Sequence, residues 1–313
     1  MIIGSDYLYP KDSVLFEPFT EKNGTKIKIV HLSSEELINK LNVNPYNSQI
    51  DLILLSSKND IDTLKKLNHL HSLSSAVTGI QKMEINNSHS VLVGINPIVT
   101  LIPRNESADS MSYKKLSEQQ WYSDFDETSI FRFYSGLQEK YNWSNTELIN
   151  WLNRADKNRS KFAFLDSTFR TPCFLTSYSK ALMLKADTSK GFQSYQISFP
   201  DKFLNGSLYS TIHLAMITQS PNYVTAVKFI NFYNSEKGMS LFNQKQNTLS
   251  PLELIDGEIK LENNNWKVYK KSLNQNLIDF KNWRNVLQQA RTLVILPVVQ
   301  PKHKMASHDT IKK

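Results

Sequence analysis

The chain has 313 residues, one cysteine, seven histidines and a formal net charge of +8 at neutral pH, with 40% hydrophobic and 21% charged residues. That is room for two globular cores, and no stretch approaches the run of about 18 apolar residues that would span a bilayer. The lone Cys173 excludes an intramolecular disulfide and a cysteine metal cage, so it is expected as a buried structural thiol. The positive charge clusters only in the 301–313 tail, expected to be a flexible basic end. No glycine-rich or aromatic RNA-binding motif accompanies the charge, which argues against a nucleic-acid partner.

Met1-Ile2-Ile3-Gly4 reads as the start of a strand rather than as a signal peptide, so a leader is expected to have been removed or never present. Phe16 to Asn23 predicts a helix stopped at Gly24, Ile27–Val30 a short strand, and Ser33-x-x-Glu36 a capping box that opens a second helix. Asp51–Leu55 follows as an apolar strand. Strand, helix and strand at this spacing imply a parallel sheet with right-handed crossovers. Asp60–Leu67 has helical spacing, and His69 and His71 beyond it lack a nearby third metal ligand and are expected as surface or hydrogen-bonded histidines.

Val91–Gly94 and Ile98–Ile102 read as two successive strands, suited to a passage into a second lobe. Ile130–Tyr141 is amphipathic, and Ser144-x-x-Glu147 caps the helix that follows. Lys161–Leu165 is strand-like, Tyr178–Lys185 helical, and Tyr195–Pro200 and Tyr209–Thr218 strand-like again. Ser220–Phe232 predicts a helix with its apolar stripe at Val224, Val227 and Ile230, and Ser235 opens another. Ser177-Tyr178-Ser179-Lys180 superficially offers a serine with a lysine, but the Gly-x-Ser-x-Gly elbow, the phosphate loop and the dinucleotide fingerprint are all absent. No catalytic constellation is legible, and no enzyme is expected.

Several of these stretches, in this order, are also familiar. The helix ending in Glu21-Lys22-Asn23-Gly24, the Lys26-Ile27-Lys28-Ile29-Val30 strand, Ser34-Glu35-Glu36-Leu37 and Asp51-Leu52-Ile53-Leu54 resemble the mature N-terminus of bacterial extracytoplasmic solute-binding proteins of ABC importers. Ser112-Tyr113-x-x-Leu116 before Trp121, the Ala226-Val227-Lys228-Phe229 helix and Ser235-Glu236 onwards extend the likeness from about Ile3 to about Leu293. The ferric-iron-binding subfamily is the nearest in pattern.

The resemblance implies an α/β, two-lobed periplasmic-binding-protein type II fold, with a hinge of crossover strands and a ligand cleft between the lobes. It assigns 1–96 and 213–258 to the first lobe and 97–212 and 259–300 to a helix-rich second lobe. It further implies Fe3+ as the transported ligand, a membrane permease of an ABC importer as partner, a monomer, and a periplasmic or membrane-attached extracytoplasmic location.

By the same resemblance, the family's paired tyrosines at a second-lobe helix start correspond to Tyr178 and Ser179, with Ser177 before them. Tyr9 and Tyr134 match tyrosines that some members add, giving Tyr9, Tyr134 and Tyr178 as the candidate metal phenolates. Ferric iron is a hard cation that favours oxygen donors and lowers a phenol's pKa, which suits such a set. Ser57 and Asp60 stand near the family's acidic or amide position, while the stretch matching its anion-binding arginines, Ile98-Val99-Thr100, is uncharged. Hydroxyls and backbone N–H groups around Ser56, Ser57 and Ser177 would alternatively hold an oxyanion or a small organic solute. A third expectation is a degenerate member with a sensor, adhesion or structural role.

Overall fold

The computed structural model describes residues 1–44, 48–73, 88–108, 111–125, 127–158, 173–201, 206–255, 258–261 and 264–267. The Lys161–Leu165 strand, the helices expected beyond Lys267 and the 301–313 tail lie outside the described residues.

The chain opens with β1 (Ile2–Ser5), α1 (Glu17–Asn23), β2 (Lys28–His31), α2 (Ser34–Val43), β3 (Leu52–Leu55) and α3 (Lys58–Lys66). Local chemistry sets these boundaries. Gly24 ends α1 in the left-handed conformation at φ +62°, which a side chain rarely adopts. At the start of α2 the Ser33 hydroxyl accepts the Glu36 N–H, and the Glu36 carboxylate accepts the Ser33 N–H at 2.8 Å, the reciprocal pair that the spacing predicts. Both β2 and β3 pair parallel with β1, one on each side.

Next come β4 (Ser90–Pro103), β5 (Trp121–Ser123), α4 (Glu127–Tyr141), α5 (Asn145–Asn158), β6 (Cys173–Ser177), α6 (Tyr178–Ala186), β7 (Tyr195–Ser198) and β8 (Tyr209–Met216). The long sheet has the order β2-β1-β3-β8-β4-β6-β5, with β7 also on β4. After β8 the chain forms α7 (Tyr223–Tyr233) and α8 (Glu236–Gln246), and a small antiparallel sheet of β9 (Leu254–Ile255), β10 (Glu258–Leu261) and β11 (Asn264–Lys267). Trp266, within the 259–300 segment assigned to the helix-rich second lobe, lies in a strand.

The two strands expected in 91–102 are one 14-residue strand, β4. Gly94 reads as an interruption in the sequence, but the ladder to β8 continues through a bulge between Leu92 and Gly94. Residues Ser90–Pro97 pair with β8, and Ile98–Leu101 pair with β6. β4 is therefore shared by two bodies with separate cores.

In the first body Leu52 and Leu54 of β3 face a core with Phe16, Phe19 and Phe229, while Ile53 and Leu55 face another with Leu37, Leu41 and Ile61. In the second, Ile98 and Ile102 face Phe133, Leu137 and Trp151, while Val99 and Leu101 face Phe174 and Ala181. The period-2 alternation of a strand buried on both faces puts helices on either side of each half-sheet. Cys173 is a buried thiol in β6, and burial pushes its pKa up to about 12.

Candidate ligand-binding cleft

With β2 and β3 on opposite sides of β1, the connections leave β1 in opposite directions. In open α/β sheets, ligands bind at such a switch point, beyond the carboxyl ends of the strands. Three groups stand there. Asp6 and Tyr7 follow β1, Ser56 and Ser57 follow β3, and Ser34 begins α2. The Asp6 carboxylate gathers them, accepting the Ser56 N–H at 2.9 Å, the Ser56 hydroxyl at 2.9 Å and the Ser34 hydroxyl at 3.0 Å. Burial raises the Asp6 pKa, the Arg132 guanidinium opposes that rise, and the neighbouring Asp60 adds to it. Ser57, fully buried, caps α3 by accepting the Asp60 N–H.

Among the described residues, polar contacts cross from this first body to the second, beside the packing of Tyr178 and Phe199 against Ile95 and Leu249. Arg132, on α4, donates through Nη2 to Asp60 Oδ2 at 2.9 Å and through Nη1 to Ser56 Oγ at 3.3 Å. Asp60 is 2% exposed, so the guanidinium neutralises a carboxylate removed from water. Burial pushes the pKa of Tyr7, on the loop after β1, up to about 12, and the Ser179 side chain at the start of α6 opposes that rise.

Asn96, midway along β4 where that strand passes between the bodies, holds Ser179. Its Nδ2 donates to Ser179 Oγ at 2.9 Å, its Oδ1 accepts the Ser179 N–H at 3.1 Å, and Ser177 and Ser179 hydroxyls lie 3.2 Å apart. The walls are thus oxygen-rich, with carboxylate, hydroxyl, phenol and amide groups and one guanidinium.

The residues expected from sequence fall in different surroundings. Ser57, Asp60, Ser177 and Ser179 belong to the two networks above. Tyr178 is the first residue of α6, its ring 5.6 Å from Phe199 and packed between the Ile95–Tyr209 and Val99–Phe174 clusters. Tyr9 is 52% exposed and stacks on His31 at 4.0 Å. Tyr134 is 4% exposed within the second body's core, against Phe133, Phe131 and Trp151. Helix geometry explains its placement. Residues two apart on a helix point roughly 200° apart, so with Arg132 directed at Asp60, Tyr134 faces the opposite way. Lys180 is exposed on α6 while Ser177 and Ser179 pair with each other, so the Ser-x-x-Lys spacing builds no serine–lysine pair there.

Sequence reasoning missed Asp6, Tyr7, Ser34, Asn96 and Arg132. Asp6 was accessible in principle, as the first polar residue beyond a strand at a switch point. The others act through partners distant in sequence. Among the described residues, no group of three or more histidine, cysteine, aspartate or glutamate side chains could hold a metal ion.

No family model matches the sequence, and no curated protein matches it. Solved structures do match in three dimensions. The chain is similar to the ferric binding protein from Campylobacter jejuni with a TM-score of 0.74 at 16% identity, over 93% of this chain and 99% of that one. Iron-bound HitA from Pseudomonas aeruginosa gives 0.70 at 13% identity, over 94% and 98%. The Trichodesmium IdiA/FutA protein, solved with iron and citrate, gives 0.69 at 14% identity, over 93% and 98%. At such identities the likeness establishes the fold alone, a mixed α/β arrangement of the periplasmic-binding-protein type II kind. No helix among the described residues is long and apolar enough to cross a membrane.

Proposed function

We propose that this chain is the solute-capturing subunit of an ABC importer, a periplasmic or membrane-attached monomer that holds a small ligand between its two bodies and presents it to a membrane permease. One observation carries the reading: at the switch point the Arg132 guanidinium of the second body reaches Asp60 and Ser56 of the first, and Asn96 of the shared strand holds Ser179. Separate apolar cores joined through β4 and β8 support lobes of 1–96 with 213–258 and of 97–212 with 259–300. A cleft that opens and closes about such strands is a hinge device for enclosing a ligand.

The ligand we propose is ferric iron or a ferric complex. The donors at hand are hard oxygens, which suit a trivalent cation, and the similar structures named above carry ferric or iron names. The phenols proposed to serve are Tyr178 and Tyr7, one from each body, with Tyr9, exposed and stacked on His31, as a further donor. Titration with ferric citrate, followed by visible absorption, tests this: a phenolate-to-iron band that is lost in Tyr178→Phe is expected, and a flat spectrum overturns the iron assignment.

A second reading, the same fold holding a small organic solute, is favoured by the Asn96, Ser177 and Ser179 group. That surface of paired amide and hydroxyl groups suits a neutral hydrogen-bonding ligand.

A further inference from the structure

The hydrogen bonds of Asp6 all run one way. Its Oδ1 accepts the Ser56 N–H, and its Oδ2 accepts the hydroxyls of Ser56 and Ser34. The donors come from two helix entrances, Ser34 in the first turn of α2 and Ser56 immediately before the residue that caps α3. The Arg132 guanidinium shares the Ser56 hydroxyl. A backbone N–H at a helix start, converging hydroxyls and a nearby guanidinium are the chemistry that holds a carboxylate, sulfate or phosphate ion. Here the chain supplies the anion itself.

We propose that the Asp6 carboxylate is the built-in occupant of an anion subsite, so that the cleft excludes free oxyanions and selects ligands that carry positive charge. The selectivity rests on the reading of this switch point as the ligand site. Arg132 pairs directly with Asp60 and bears on Asp6 through the shared Ser56 hydroxyl, so one guanidinium stands against two carboxyl groups. A carboxylate offers about four acceptor positions, and three hydrogen bonds to Asp6 leave one for a ligand. An incoming oxyanion meets this charge and finds its donors taken. A metal cation or an ammonium group meets an acceptor already held in place.

Thermal melting of the wild type and of Asp6→Ala, in sodium formate, sodium sulfate and sodium chloride at equal ionic strength, tests the proposal. Removal of the carboxymethyl group frees the three donors and leaves space for formate. The Asp6→Ala protein is expected to gain stability saturably with formate, by roughly 2–4 °C once formate reaches about ten times its Kd, and to lose that gain when Ser34→Ala and Ser56→Ala are added.

The wild type is expected to respond to formate and sulfate no more than to chloride. A variant that folds only in formate supports the proposal equally. Asp6→Ala behaving identically in formate and chloride, folded or not, overturns it. So does a saturable sulfate response of the wild type that the paired serine substitutions remove. Formate rescue in a protein that captures no solute would keep the anion subsite and remove the transport reading, so the two failures are distinguishable.

Discussion

Arg132 Nη2 lies 2.9 Å from Asp60 Oδ2, joining residues 72 apart in sequence and on different bodies, with Asp60 2% exposed. Removing the guanidinium leaves a buried carboxylate without its counter-charge. Arg132→Met is therefore expected to destabilise the folded chain by roughly 3 kcal/mol, and Arg132→Met with Asp60→Leu to recover most of it. Urea unfolding measures both. A single variant as stable as the wild type would show that the pair contributes nothing to holding the bodies together.

His213, on β8, is buried between Ser90 and Thr211. Burial, aided by Lys58, pushes its pKa down to about 4, against the partial opposition of Asp62. The unfolded chain takes up this proton below the usual 6.5 while the folded chain resists, so stability falls as pH drops from about 6.5 towards 4. Across that window the contribution is on the order of 2–3 kcal/mol. His213→Gln should flatten the acid limb of a plot of melting temperature against pH; an unchanged limb would assign the proton uptake elsewhere.

Gly94 sits where a side chain cannot. A Cβ there would meet Asn243 Oδ1 at 2.9 Å and Ile212 at 3.2 Å. Asn243 has little freedom to retreat, since it donates to Val93 O and Met239 O and accepts the Thr248 hydroxyl at 2.7 Å. Gly94→Ala is expected to cost about 1–3 kcal/mol in urea unfolding.

At the capping boxes of α2 and α5, Ser33 and Ser144 donate to Glu36 and Glu147 and hold both carboxyl groups below the usual glutamate range. Depressed carboxyl groups stabilise above their unfolded pKa, and the contribution is lost as pH falls through the folded value. Ser144→Ala should destabilise at pH 7 and do so less near pH 3. Equal cost at both pH values would remove the carboxylate from the account.

The parts legible in the sequence obey short-range rules. Gly24, the two capping boxes and the apolar run of β3 need only neighbours within four residues. On α7 the expected stripe holds at Ile230, buried, and Val227, packed against the core, but not at Val224, because Ala226, Phe229 and Tyr233 offer a second apolar face. Packing selects the second, leaving Val224 65% exposed. The same limit governs the cleft. Asp6 and Ser56 are 50 residues apart and Asn96 and Ser179 are 83 apart, so neither pairing has a local signature. Tyrosine spacing alone could not separate Tyr134 in the core from Tyr7 at the switch point.

Ferric citrate titrated into the wild type, Ser179→Ala and Tyr134→Phe, with affinity read by calorimetry, tests the cleft assignment most directly. The account predicts saturable binding by the wild type, weakened at least about tenfold in Ser179→Ala, equivalent to about 1.4 kcal/mol, and unchanged in Tyr134→Phe. Affinity intact in Ser179→Ala and lost in Tyr134→Phe would contradict it.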